Sequence, residues 1–63
     1  MNSPEVKRSA LRCILPRSQV SLETSYTYVK GKLLVVDKLY VVVNVDGMFV
    51  HVAIADVMDI HLL

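Results

Sequence analysis

The chain has little of what usually staples or anchors a small protein. Cys13 is its single cysteine among 63 residues, so no disulfide framework can form, and a reducing compartment is the default expectation. Cys13, His51 and His61 lack the spacing of a zinc set, so neither a metal nor another cofactor is expected. Long hydrophobic runs are missing as well. The longest stretch without Asp, Glu, Lys or Arg covers residues 47–55, nine residues, about half of the ~20 that a membrane-spanning helix needs. No charged start leads into an apolar stretch and a small-residue cleavage site. Excess charge of one sign is absent too. Seven Lys and Arg against six Asp and Glu leave a net charge of +1, unlike the basic surface of a general nucleic-acid binder. Asp59 and His61 sit two apart and would share a strand face, but no nucleophile, oxyanion donor or glycine-rich loop accompanies them. A non-catalytic protein is expected.

What is present is apolar residue in quantity. A hydrophobic fraction of 54% excludes a disordered chain, and the length suits one domain over residues 1–63. A domain this short buries only ~60% of its unfolded surface, so help from oligomerisation or a partner subunit is expected. The charges are segregated. Lys7, Arg8, Arg12 and Arg17 lie in the first twenty residues, whereas Asp46, Asp56 and Asp59 lie in the last twenty, and no Lys or Arg follows Lys38.

Ser3-Pro4-Glu5 reads as a helix start: a capping hydroxyl, a proline suited to the first turn, and a carboxylate at the positive end of the helix dipole. Val6, Ala10, Cys13 and Ile14 then fall on one apolar stripe, widened by Leu11 and Leu15, with Lys7, Arg8 and Arg12 elsewhere. Cys13 on that stripe reads as a small core residue. Pro16 would end the helix near Leu15, so a helix over residues 3–15 is predicted. Beyond it the period changes to two. Strands are predicted over 19–23, 28–36, 39–45, 48–55 and 57–63, with the barrel spanning 18–63. Asp46-Gly47 is a two-residue hairpin signal, and Gly31 suits a sharp bend where a Cβ would meet a neighbouring backbone. The predicted fold class is mostly β: an N-terminal helix followed by a five-stranded, strongly bent antiparallel small barrel.

This order, with Gly31, Leu33 two residues later, Asp37 six after the glycine, and Val29 before it, resembles the Sm and LSm family. The resemblance implies an Sm-like (SH3-like) barrel, with Val29, Gly31, Leu33 and Asp37 in structural roles. Where RNA-binding members carry an aromatic or histidine and then Met-Asn after the Asp, this chain has Leu39, Tyr40 and Val41. Val41 has no side-chain donor or acceptor for a base edge. Where the family has Ile-Arg-Gly, this chain reads Ile54-Ala55-Asp56-Val57, with a carboxylate in place of the cation. Both halves of the nucleotide pocket look absent.

A barrel of this kind without its nucleotide site is similar to the Gemin subfamily, the Sm-fold subunits of the SMN complex that loads Sm rings onto small nuclear RNAs. The basic helix, the segment Gln19-Val20-Ser21-Leu22 and the late Asp59-Ile60 carry that likeness. It implies a scaffold in cytoplasm and nucleus that supports assembly of spliceosomal particles. The implied partner is another Sm-like chain of the sixth-Gemin type, bound as a heterodimer, with an eighth-Gemin-type helix and SMN beyond it. It implies no sequence-specific RNA binding and no membrane. In the family the last two strands are the exposed edges that pair between subunits. Here Val50, Val52, Ile54, Met58, Ile60 and Leu62 are the candidate partner-binding residues on those strands. Two alternatives stay open. One is an RNA-binding LSm ring subunit with an atypical uridine pocket, for which Lys30, Lys32 and Lys38 with Tyr26 and Tyr28 could form a basic, aromatic strip. The other is an unrelated small barrel adaptor.

Overall fold

A computed structural model describes residues 3–14 and 16–63. Helix α1 covers Pro4–Arg12, and strands β1 to β5 cover Gln19–Thr24, Tyr28–Val36, Tyr40–Val45, Met48–Ala53 and Val57–Leu62. A short 3-10 turn at Ile54–Asp56 joins β4 to β5. All neighbouring strands are antiparallel, in the order β4-β3-β2-β1-β5. The architecture is the predicted one: a helix followed by a five-stranded, bent antiparallel small barrel, mostly β.

Two features of β2 make the sheet bend. The register against β3 slips between Leu33 and Val35, a bulge that kinks the strand. At Gly31 the β3 backbone comes so close that a Cβ would lie 2.2 Å from the Asn44 carbonyl oxygen. The bent sheet closes over one core, formed by Leu11, Val20, Leu22, Leu33, Val41, Val43, Val52, Ile54 and Val57. Val41, Val42 and Val43 are all buried, so β3 is covered on both faces, as its unbroken apolar run predicts. Asp46 and Gly47 both have positive φ, 51° and 87°, which a two-residue hairpin matching the strand twist requires.

The helix departs from its predicted form in three ways. It ends at Arg12 with Cys13 as its C-cap, a turn before residue 15, and Leu15 itself lies outside the described residues. Cys13 is exposed, not part of the core. The face turned to the barrel carries Lys7, Leu11 and Ile14, while Val6 is exposed. The predicted stripe is split: Leu11 and Ile14 face the barrel whereas Val6 and Cys13 do not, and Lys7, placed outside the stripe by sequence, is buried beside Leu11. Seating Leu11 at 0% exposure is worth about 1.5–3 kcal/mol. Lys7 is tolerated beside it because its methylene stem is apolar, while its Nζ reaches out to donate to the Ala55 carbonyl at 3.1 Å. Arg8 adds a second tie, donating from Nη1 to the Lys38 carbonyl at 2.8 Å. At the other end the Ser3 hydroxyl caps the helix by accepting from the Val6 N–H.

Candidate partner-binding edges

Within the described residues β4 hydrogen-bonds only to β3, and β5 only to β1, so each has one main-chain side without a strand partner. The ladder alternation says which groups face outward. Val45 and Met48 close the two-residue hairpin and form a hydrogen-bonded pair, so Phe49, His51 and Ala53 turn their N–H and C=O groups to the free side of β4. On β5, Leu63 donates to the Gln19 carbonyl at 3.0 Å, which turns Ile60 and Leu62 outward. Ile60 accordingly donates its N–H to its neighbour's carboxylate, Asp59 Oδ1, at 2.9 Å. Neither edge contains a proline or a lysine, the usual guards against strand addition.

The candidate side chains divide into three groups. Val52 and Ile54 belong to the core and support the edge from beneath. Ile54 also lies past the end of β4, in the 3-10 turn, where its N–H donates to the Leu39 carbonyl; the predicted strand over 48–55 is two residues too long. Val50 and Ile60 are half-buried and pack against the core. Met58 and Leu62 are exposed, as are Met48 and Phe49 at the hairpin end of β4. Beside the β4 edge runs an open groove of ≈ 210 Å³ whose walls include Val29, Val50, Val52 and Tyr26. The unpaired side of β4 and the apolar groove therefore coincide along one margin of the barrel.

The four residues that carry the Sm resemblance occupy structural positions. Val29 packs on the core, Leu33 is buried, and Gly31 marks the close strand approach. Asp37 sits in the β2–β3 turn, where it accepts from the Lys38 N–H at 2.7 Å. That bond, together with one from the Tyr40 hydroxyl, holds the Asp37 carboxyl below the usual carboxylate range. The same contact raises the Tyr40 phenol above its ordinary value.

The positions that the resemblance compares with a nucleotide pocket hold other groups. Val41 has no exposed surface. Tyr40 packs its ring on His51 with centroids 5.3 Å apart. Of the basic, aromatic strip, Tyr28, Lys30 and Lys32 alternate along one exposed face of β2, whereas Tyr26 and Lys38 flank opposite ends of this nine-residue strand. Lys30 and Lys32 line a polar hollow of ≈ 330 Å³ with Gln19, Asn44 and Asp46.

His51 and His61 fall on the two opposite edges, and Cys13 on the helix end, so this trio is not brought together. One grouping escaped the sequence reading. Glu23 on β1 stands opposite Asp59 on β5, next to His61. Only cross-strand register, which the spacing of residues along the chain does not encode, could have revealed it. No family model matches the chain, and neither a curated protein nor a solved structure matches it.

Proposed function

We propose that this chain is a non-catalytic Sm-like scaffold subunit that binds another Sm-like chain by strand addition at β4 and β5. The reading carries over to the setting that the Gemin resemblance implies: a subunit like the seventh Gemin, paired with a sixth-Gemin-type chain in the SMN complex, supporting assembly of spliceosomal particles in cytoplasm and nucleus. The single observation behind it is the pair of edge strands with no strand partner on one side among the described residues, β4 without a charge and β5 with one, Asp59. Each offers outward main-chain donors and acceptors, and β4 adds a neighbouring apolar groove. Edge addition uses those groups for affinity and the flanking side chains for selectivity. A uridine-binding role is disfavoured by the buried Val41 and by Asp56, whose negative charge repels phosphate.

Intact-mass measurement of the chain mixed with a sixth-Gemin-type chain tests the proposal. A one-to-one complex is expected. Leu62→Pro deletes an outward N–H at an exposed position without removing a ladder bond, and should abolish or strongly weaken pairing. Val52→Lys is unsuitable, since it would break the core rather than the edge. A chain that stays monomeric in every mixture, or a folded Leu62→Pro variant that pairs undiminished, would sink the proposal. So would tight, selective binding of uridine-rich RNA with no protein partner.

A further inference from the structure

We propose that Glu23, Asp59 and His61 form a binding site for one divalent transition cation, zinc by its ligand chemistry, on the outer face of the β1–β5 pair. The register builds the site. Glu23 lies directly opposite Asp59, and His61 follows two residues on, opposite Ser21. Strand alternation puts all three side chains on the same face. One ligand atom from each lies within 4.8 Å of the other two. His61 Nε2 is 3.4 Å from Asp59 Oδ2, close to the ~3.3 Å that separates two ligand atoms of a tetrahedral zinc with bonds of about 2.0 Å.

Two further features favour a cation here. First, two carboxylates facing each other across a strand pair repel, and among the described residues no Lys or Arg forms an ion pair with either. The nearest cationic residue by register is Lys30, across Ser21 from His61, while Tyr28 faces Glu23 from the same strand. Second, the Asp59 carboxylate is already oriented. Its Oδ1 accepts from the Ile60 N–H, which leaves Oδ2 toward the imidazole, the kind of backbone support that steadies metal ligands. The nitrogen ligand selects zinc over magnesium or calcium, which prefer all-oxygen sets. Asp59 and His61 keep 53% side-chain exposure, so an ion can enter and the remaining coordination position falls to water.

Calorimetric titration of the full chain with zinc chloride tests the site. One ion per chain is expected, with no heat from magnesium chloride. Glu23→Gln and His61→Gln should each weaken binding about tenfold or more, while His51→Gln, on the opposite edge, leaves it unchanged. Backbone amide NMR of the unsubstituted chain gives a readout independent of the variants, and zinc-induced shifts should centre on residues 23, 59 and 61. Absence of saturable one-to-one binding, shifts centred elsewhere, or an equal loss in His51→Gln would overturn the proposal.

Discussion

Adding a single methyl group at Gly31 probes the bend on which the barrel depends. An alanine Cβ there would sit 2.2 Å from the Asn44 carbonyl oxygen, and 2.9 Å from both the Asn44 carbonyl carbon and Val43 Cγ1. Ordinary contact starts at 3.4 Å, so β3 would have to retreat by about an ångström, and the crowding atoms include main chain that cannot rotate away. Overpacking of this kind costs ~1–3 kcal/mol, and the upper part of that range applies to backbone. Alanine returns ~0.5–1 kcal/mol by restricting the unfolded chain. The net loss is roughly 2 kcal/mol, a large fraction of the ~3–9 kcal/mol available to a domain of this length. At ~4–8 °C per kcal/mol, the melting temperature should fall by roughly 8–16 °C. Gly47→Ala is the matched control. There φ is +87° but the Cβ meets nothing within 4 Å, so only backbone strain of about 1 kcal/mol is expected. Thermal denaturation followed by far-UV circular dichroism measures both. If Gly31→Ala melts within about 2 °C of the parent, or if Gly47→Ala is the more damaging, the close approach of β2 and β3 does not control stability.

Leu11→Ala should cost ~2–5 kcal/mol in denaturant unfolding, because the side chain that docks α1 on the barrel is lost; a cost near zero would mean that the helix does not pack there. Ser3→Ala removes the N-cap and should cost ~1 kcal/mol, read in the same assay against Ser3→Asp, which restores an acceptor. The Asp37 carboxyl should titrate below 3.8 and move back toward that value in Tyr40→Phe, as followed by carbon-detected NMR. Because its folded pKa is depressed, its stabilising contribution is present above the unfolded value and lost as pH falls through the folded one. Tyr40 behaves in the opposite sense: its phenol should titrate above 10.0, and its contribution is complete below that pH and lost as pH rises through the raised value.

Local chemistry determined a great deal of this molecule. The change of period after Pro16, the β-branched run from Val41 to Val43, and the Asp46-Gly47 turn define strands and hairpins through interactions between near neighbours, so element order could be read from the chain. Gly31 is a special case. Its lack of a Cβ pointed to a close approach, although which backbone it meets emerges only when β2 and β3 pair. Tertiary packing decided the rest. On α1 the apolar stripe read from the chain held Leu11 and Ile14, which do pack on the barrel, but only the docking of the helix, with the Ala55 carbonyl within reach of Lys7, buries Lys7 and leaves Val6 and Cys13 outside. The same holds along the edges, where Val52 and Ile54 turned inward while Leu62 stayed outside. The meeting of Glu23 with Asp59 and His61 likewise depends on a register between residues far apart in sequence. Periodicity carries the direction of a side chain relative to its own strand or helix, whereas the identity of what lies across from it is a property of the assembled sheet.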